Sequence, residues 1–331
     1  MSAPIIAFFN NKGGVGKTSL AYHLAWMYWD LGAKVIAVDL DPQANLTAAF
    51  LDEAGLEDLQ SDSSHTIVGA VEPLLKGTGD IREPKVLDIQ EGLYLLAGDL
   101  KLSALEDELA EQWPHCLAGR ERAFRVISAF WRVVRPSVRT AEADIVLVDL
   151  GPNLGAINRA GLIASDHVVV PLAPDLFSLQ GLRNLGPQFR KWRIDWKLRL
   201  SNRPLDLELP EGSMSPLGYV VLQHSVRLDR PVKAYDKWMA RIPGEYRIFV
   251  LDEPHDGTTM SADPHNLALL KNYRSLVPMA QEARKPIFML KSGDGAIGSH
   301  FQAVLEAKEA FRKLALRIAE RAGVTLPQRP S

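Results

Sequence analysis

The sequence contains very little cysteine. Cys116 is the one cysteine among 331 residues, so no disulfide can form within the chain, and one copy cannot build an iron–sulfur or cysteine-rich zinc site. The eight histidines show no paired metal-ligand spacing. His115 next to Cys116 is a lone pair of possible ligands, and we interpret it as structural.

The chain also lacks an excess of charge of either sign. Its 38 lysines and arginines oppose 40 aspartates and glutamates, which gives a net charge of −2. Binding to nucleic acid through overall charge is therefore excluded, whereas a local basic patch is not. No apolar run approaches the roughly 18–20 residues of a membrane-spanning helix. Residues 1–9 carry no basic segment typical of a signal peptide. We expect a cytoplasmic protein without integral membrane contact.

Apolar strand-like segments alternate with helical patterns along the chain. Residues 5–9 are a short run of β-prone residues, a glycine-rich turn follows at 10–16, and 18–31 has helical periodicity. Residues 35–38 repeat the apolar run, so the chain opens with a β-loop-α-β unit. Further candidate strands are 145–148, 168–170, 219–222 and 248–251, and helical patterns cover 121–134, 176–192 and 299–322.

This alternation predicts an α/β fold with a doubly wound, mostly parallel β-sheet flanked by helices. No repeat or low-complexity linker divides the chain, so we expect a single domain over residues 1–331. Residues 51–90 are acidic and are predicted to be rich in loops. Residues 200–216 are rich in proline, serine and glutamate and are predicted to be a surface insertion.

The strongest motif is the glycine-rich turn between the first strand and the first helix. Its glycines let backbone N–H groups converge on one anion, and the helix N-terminus adds partial positive charge. Lys17 would reach the β- and γ-phosphates of a nucleotide, and the Thr18 hydroxyl would bind Mg²⁺. Asn11 stands where the common pattern has glycine. The predicted nucleotide-binding residues are Lys12, Gly13, Gly14, Val15, Gly16, Lys17, Thr18 and Ser19.

This turn, with its additional Lys12, resembles the deviant Walker A motif of the ParA/MinD family of ATPases, within the P-loop NTPases. The segment 39–47, DLDPQANLT, is similar to that family's D-x-D-P-Q-x-N-x-T, a feature of ParA itself. Residues 145–149 followed by 151–155 resemble its Walker B strand and switch, although Gly151 replaces a usual proline. Residues 92–98, 164–171 and 178–182 also resemble family segments.

The resemblance implies ATP and Mg²⁺ as cofactors and assigns a role to each polar residue of the site. Lys12, Lys17 and Asp41 would be catalytic. Thr18 would bind Mg²⁺ directly, and Asp39 and Asp149 would hold the waters of the metal. Simpler interpretations remain: Asp39 as a turn cap, Asp41 as a surface carboxylate, and Asp149 as a structural residue.

The resemblance further implies what Lys12, Asp41 and the ends of the late strands do. Lys12 is expected to cross a two-fold interface, so that ATP joins two subunits, and Asp41 to orient the attacking water. The family's use of late strand ends points to an adenine pocket, although such residues are often ordinary loop polars. The adenine candidates are Gln223, His224 and Pro254.

Basic side chains are concentrated in three stretches. Residues 183–203 contain seven of them with two interleaved tryptophans, residues 120–139 contain six, and a smaller set lies at 271–285. Such runs are often solvated helix faces. Binding to DNA without sequence readout requires only phosphate neutralisation, so a local patch suffices. The DNA-binding candidates are Arg190, Lys191, Arg193, Lys271 and Arg274.

The leading hypothesis is therefore a ParA-like ATPase that dimerises on ATP and binds DNA non-specifically. A ParB-like or other adaptor would stimulate hydrolysis, and the cycle would partition DNA or position a cargo on the nucleoid. An alternative is a MinD-like or orphan ATPase switch that positions a protein complex without DNA. A metabolic P-loop ligase is a third class, but its substrate-binding motifs were not found.

Overall fold

The computed structural model describes residues 3–222, 237–273 and 275–327. Its centre is an eight-stranded β-sheet of order β3-β4-β2-β5-β1-β6-β7-β8. Neighbouring strands are parallel except β3 and β4, which are antiparallel. The strands are β1 Ile5–Phe8, β2 Val35–Leu40, β3 Leu87–Gln90, β4 Leu93–Leu96, β5 Ile145–Leu150, β6 His167–Leu172, β7 Ser215–Leu222 and β8 Asn266–Leu270. The predicted fold class is confirmed.

Helices cover both faces of the sheet. One apolar core joins the sheet to α1, α11 and α12, and the other joins it to α4–α9. The helices are α1 Lys17–Asp30, α2 Asn45–Phe50, α3 Glu53–Ser61, α4 Ile67–Leu75, α5 Leu105–His115, α6 Glu121–Ile127, α7 Ala129–Ala141, α8 Ala156–Ile163, α9 Leu176–Leu200, α10 Ile242–Glu245, α11 Leu276–Ala283 and α12 Ser299–Arg321.

The central strands are apolar because both of their faces are covered. Every residue of β1, β2 and β5 is buried, as expected for strands inside a two-sided α/β sheet. Since these strands are parallel, their carboxyl ends lie at one edge of the sheet. The registers Asp39↔Asp149 and Phe8↔Asp149 place the end of β5 between the ends of β2 and β1.

The predicted strand at 248–251 is wrong. Residues Tyr246–Leu251 form a π-helical turn directly after α10, with Tyr246 and Val250 buried. Buried residues at i and i+4 lie on one face of a helix, and this face packs against α9. A strand that we did not predict, β8, follows Pro264 and takes the sheet's edge position instead.

Two further segments differ from expectation. Residues 51–90 contain α3, α4 and β3, so they are more regular than predicted. The predicted helix 121–134 is divided at Ser128 into α6 and α7, and the Ser128 hydroxyl donates to Phe124 O at 2.7 Å. A serine that hydrogen-bonds back to the preceding turn competes with the regular helix pattern.

The segment 203–214 contains neither helix nor strand. Trp196 Nε1 on α9 donates to Pro210 O at 2.9 Å, and Met214 at the end of the segment is fully buried. The predicted insertion at 200–216 is therefore anchored to the core at its second half. Its assignment as an insertion stays a prediction.

We expect the contact between α9 and the π-helical turn to limit substitution at Gly186. A Cβ atom built there would lie 1.7 Å from Phe249 O, a backbone atom that cannot rotate away. Although alanine normally favours a helix over glycine, Gly186→Ala should lower the free energy of unfolding by about 1–3 kcal/mol through overpacking. Urea denaturation measures this change. Gly293→Ala, where the added Cβ meets open space, is the control. Equal or greater stability of Gly186→Ala would contradict the packing described here.

Candidate nucleotide site

The loop between β1 and α1 has the shape of an anion cradle. Gly14 and Gly16 have φ values of 70° and 81°, a left-handed conformation that favours glycine. Gly16 is also the N-cap of α1. Because glycine has no side chain to cap the helix, the first N–H groups of α1 stay available to a bound anion.

Lys17 is the cation at the centre of the cradle. Only 6% of its surface is exposed, and its Nζ donates to Lys12 O at 3.3 Å across the loop. Burial lowers the pKa of Lys17, and the nearby Asp149 and Asp41 carboxylates partly oppose that shift. A buried ammonium group facing two carboxylates is suited to bind a polyphosphate together with a metal ion.

Asp149 has the properties of a metal-associated carboxylate. It is fully buried, and neither of its oxygens receives a hydrogen bond of normal geometry from the described part of the chain. Burial raises the pKa of Asp149 well above its usual value, and the neighbouring Asp39 raises it further. Two orphaned carboxylate oxygens near the Thr18 hydroxyl fit a Mg²⁺ ion.

The donor set also fits magnesium better than a transition metal. In residues 3–222, 237–273 and 275–327, no group of three or more His, Cys, Asp and Glu side chains could hold a metal ion. Magnesium is commonly bound by one or two protein oxygens plus waters and substrate phosphates. Thr18 would supply a direct protein oxygen, and Asp149 would hold waters of the metal.

Asp39 lies next to Asp149 but is already hydrogen-bonded. Thr47 N and Thr47 Oγ1 both donate to Asp39 Oδ2 at 2.8 Å, and Asp41 N donates to Oδ1 at 3.2 Å. Burial raises its pKa to about 6. Asp39 therefore caps the turn that leads to α2, which is the simpler of its two interpretations. Its contribution to metal binding stays a prediction.

Asp41 is not a surface carboxylate, because only 6% of it is exposed. Its Oδ1 accepts from Gln43 N at 3.0 Å. The same oxygen lies 3.3 Å from the position where a Cβ on Gly151 would be, so it faces the loop after β5. Ala44, in the same turn, has a φ of 51°, an uncommon conformation for a non-glycine residue. The turn thus holds Asp41 near both Lys17 and Gly151.

Lys12 is held within its own chain. Its Nζ forms an ion pair with Asp175, and the ammonium lies 5.7 Å from the centre of the Phe177 ring. Asp175 is also the N-cap of α9, where its Oδ1 accepts from Ser178 N at 2.8 Å. The loop is therefore linked directly to the start of the longest helix among the described residues.

Of the three adenine candidates, the structure describes Pro254 alone. Gln223 and His224 lie outside the described residues. Pro254 is exposed on the segment before β8, and its part in an adenine pocket stays a prediction. Asp252, two residues before Pro254, lies 3.4 Å from Arg190, which is about 21 Å along α9 from its N-terminus.

The described residues form a cavity beside the phosphate loop. This cavity of 150 Å³ is bordered by Gly16 and Ser19 on one side and by the ends of β7 and β8 on the other. Leu222, Leu270, Asn272 and Tyr273 supply that second side. The unrecognised β8 strand is the reason that sequence analysis missed Asn272 and Tyr273.

Comparison with known proteins gives the family. A family model described as an AAA domain matches residues 3–201. The sporulation initiation inhibitor protein Soj of Bacillus subtilis is 28% identical over 182 residues, covering 55% of this chain and 62% of Soj. The chain spans 50–62% of the length of several curated relatives that it matches.

Two solved structures show the same fold. Protein DIP2308 from Corynebacterium diphtheriae aligns with a TM-score of 0.71 at 23% identity, over 96% of this chain and 98% of that one. A plasmid partition protein from Borrelia burgdorferi B31, described as bound to AMPPNP, aligns with a TM-score of 0.57 at 16% identity, over 97% and 100% of the two chains.

The chain belongs to the ParA/MinD family of P-loop ATPases. The resemblance carried by residues 12–19, 39–47 and 145–155 is thereby confirmed. In this ParA/MinD-family chain, the loop that carries the family's motif lies between β1 and α1, at the carboxyl edge of the sheet. Within the described ranges, no helix combines the length and apolar character that crossing a bilayer requires.

The DNA-binding candidates of this ParA/MinD-family chain are partly committed to internal contacts. Arg190 donates to Phe249 O at 2.6 Å, and Lys271 forms an ion pair with Glu306 at 3.0 Å. Burial and the neighbouring Arg190 lower the pKa of the half-buried Arg193. Lys191 is exposed, and Arg274 lies outside the described residues.

Other basic residues of the same stretches are also paired. Arg183 forms a bidentate ion pair with Glu245, and Arg199 is buried with its Nε donating to Trp113 O at 2.9 Å. In the 120–139 stretch, Arg125 and Arg132 both contact Asp80. These side chains stabilise the fold, so fewer of them are available to bind DNA than the sequence indicated.

We expect the buried carboxylate pair to destabilise the protein when neither metal nor nucleotide is bound. Both aspartates have raised pKa values, so the folded state binds more protons than the unfolded state. The free energy of unfolding therefore falls as the pH rises through about 6. Asp149→Asn removes one charge and should raise the free energy of unfolding at pH 7.5 by about 1–3 kcal/mol.

Urea denaturation in EDTA, between pH 5.5 and 8, measures this effect. Stability of the wild type should fall more steeply with rising pH than that of Asp149→Asn. Asp88→Asn, an exposed aspartate on β3, is the control and should leave the wild-type profile unchanged. A less stable Asp149→Asn protein, or one with the wild-type pH profile, would contradict the described burial.

Proposed function

We propose that this protein is a ParA-like ATPase that binds ATP and Mg²⁺, dimerises on ATP, and hydrolyses it to ADP and phosphate. The observation that supports the proposal most is the arrangement of Lys17, Asp41 and the buried Asp149 around the glycine-rich loop. Phosphoryl transfer requires charge neutralisation and a positioned nucleophile, and these three side chains are suited to both.

Each side chain has a distinct role in the proposed reaction. The loop N–H groups and Lys17 bind the phosphates, and Lys17 neutralises charge that moves toward the leaving oxygen. Mg²⁺, bound directly by Thr18 with its waters held by Asp149, would supply further neutralisation. Asp41 accepts a hydrogen bond from the attacking water and orients it toward the γ-phosphate. Asp39 holds the turn that carries Asp41, through its contacts with Thr47 and Asp41 N.

Dimerisation follows from the proposed role of Lys12. In the described chain Lys12 pairs with Asp175, so it must leave that carboxylate before it can contact a nucleotide in a second subunit. Exposed Leu176 and Phe177 lie beside it and would be covered in such a dimer. A cation supplied from the partner can contribute to phosphoryl transfer as an arginine finger does.

The proposed cargo-positioning cycle uses non-specific DNA and an adaptor of ParB type that stimulates hydrolysis. In this proposal the chain forms one ATPase domain, and residues 200–216 are a surface insertion of it. The protein acts in the cytoplasm, where it associates with the nucleoid. Lys191 and Lys197 are the exposed lysines of the 183–203 stretch and are available for phosphate contacts. A MinD-like or orphan switch without DNA binding remains the second candidate, because most arginines of that stretch are internally paired.

We expect Asp41→Ala to stop hydrolysis without preventing ATP binding. The substitution removes the carboxylate that orients water and leaves the loop and Lys17 in place. ATP and Mg²⁺ should then accumulate a stable dimer, which light scattering detects, while isothermal titration shows near wild-type affinity. Lys17→Ala should lose ATP binding in the same titration, because the phosphate cation is gone. Asp107→Ala, exposed on α5, is the control. Normal hydrolysis by Asp41→Ala would remove Asp41 from the catalytic role.

We also expect duplex DNA to bind the ATP form far better than the ADP form. A dimer doubles the phosphate contacts on one surface, and linked contacts act at high effective concentration. Affinity should fall steeply with salt. Lys191→Glu/Lys197→Glu should weaken binding without changing ATP affinity. The matched control is Lys85→Glu/Lys101→Glu, which makes the same charge change at exposed lysines elsewhere.

Fluorescence anisotropy with random-sequence DNA, in ATP and in ADP and across a salt series, measures these differences. Equal binding in both nucleotides, or none at low salt, would favour the switch that acts without DNA.

A further inference from the structure

The carboxylate of Glu106, on α5, accepts hydrogen bonds from the N-terminus of α8. Its Oε1 accepts a hydrogen bond from Ala156 N, and its Oε2 accepts one from Ile157 N at 3.0 Å. These are the first two residues of α8, and Gly155 is its N-cap. A Cβ on Gly155 would lie 2.4 Å from Glu106 Oε1, so a larger residue at position 155 would displace the carboxylate.

The carboxylate supplies what α8 lacks in its own sequence. The first turn of α8 contains no acidic residue, and Gly155 provides no side-chain cap. A helix N-terminus binds a negative charge favourably, and a carboxylate that accepts two N–H groups makes charge-assisted hydrogen bonds. Glu106 therefore fixes the position of α8 through an element that is 50 residues distant in the chain.

From α8 the contacts continue to the loop that follows the metal-associated Asp149. Asn158 Nδ2 donates to Gly151 O at 3.0 Å and to Asn153 O at 2.7 Å. Gly151 faces Asp41, at the 3.3 Å distance given above. Pro152 faces Gly13 of the phosphate loop, where a Cβ would lie 3.9 Å from the proline. Residues 151–153 are thus positioned from α8 and lie against both Asp41 and the glycine-rich loop.

We propose that Glu106 is a positioning residue for the hydrolytic step, acting through α8 and Asn158 on residues 151–153. The proposal rests on the proposed ATPase function. Glu106 touches neither Lys17 nor Asp149, so phosphate binding does not require it. The geometry around Asp41 does require it, and displacements near 1 Å at reacting groups can lower rates by orders of magnitude.

The test is a comparison of ATP binding and ATP turnover in Glu106→Gln. The amide keeps the size of the side chain but replaces one acceptor oxygen with a donor that faces an N–H group. We expect kcat to fall about tenfold while KM and the ATP dissociation constant change less than twofold, the pattern of an interaction needed in the transition state. Glu106→Asp, which keeps the charge but shortens the reach, should have an intermediate kcat. Glu111→Gln, exposed on the same helix, should match the wild type.

Hydrogen exchange provides a second measurement that does not depend on activity. Peptides containing Ala156 and Ile157 should exchange faster in Glu106→Gln and unchanged in Glu111→Gln. The double variant Glu106→Gln/Asn158→Ala should lose little more kcat than the worse single variant, because both residues act on the same loop.

The outcomes separate this proposal from the proposed function. A wild-type protein that neither binds nor hydrolyses ATP would overturn the proposed function, whereas the exchange measurement would still report the Glu106 contact. Wild-type kcat in a folded Glu106→Gln protein would overturn the positioning role. Equal losses of kcat and ATP affinity, accompanied by a lower Tm in Glu106→Gln and Glu106→Asp alike, would also overturn it in favour of a purely structural contact.

Discussion

The burial of Asp39 and Asp149 side by side is the constraint on which the site depends. Their strands are neighbours in the sheet, and the register places the two residues directly opposite each other. Burial raises the pKa of both carboxylates, because it disfavours the charged form; Asp39 raises the pKa of Asp149 further, and Asp41 raises that of Asp39. Thr47 and the amide of Asp41 stabilise the first carboxylate, whereas the second faces Lys17. Of the two, Asp149 is the carboxylate whose oxygens receive no hydrogen bond of normal geometry from the described residues.

The sequence predicted the central part of the fold because local signals and tertiary packing agree there. The runs at 5–9 and 145–148 are apolar since both faces of their strands are covered. A glycine-rich turn between a strand and a helix is typical of phosphate-binding loops. The segment 246–251 could not be assigned in this way. Its apolar residues are equally compatible with strand and helix, and packing against α9 at Gly186 favours the helical form. The short β8 was missed because only long-range pairing with β7 makes it a strand.

The sequence predicted which residues lie near the glycine-rich loop, but it did not predict the contacts that these residues make. Lys17, Thr18, Asp41 and Asp149 surround one loop, as the motifs indicated. The sequence could not show that Thr47 and the amide of Asp41 already occupy the oxygens of Asp39, or that Glu106 supports α8. Nor could it show the partners of the basic residues: Arg183 meets Glu245, and Arg125 meets Asp80, across 62 and 45 residues. A run of like charges shows its sign but not which distant carboxylates neutralise it.

The Lys12–Asp175 pair gives the proposed cycle the character of an exchange reaction. When Lys12 moves from Asp175 to a phosphate, one ion pair replaces another, so the number of ion pairs is conserved. The equilibrium then depends on the difference between the two anions and not on the full strength of either contact. The ammonium and the carboxylate are 26% and 23% exposed, so water can solvate the carboxylate as the lysine departs. A lysine balanced between two anions in this manner can respond to the presence or absence of one phosphate group on the nucleotide. It can return to Asp175 once that group is lost.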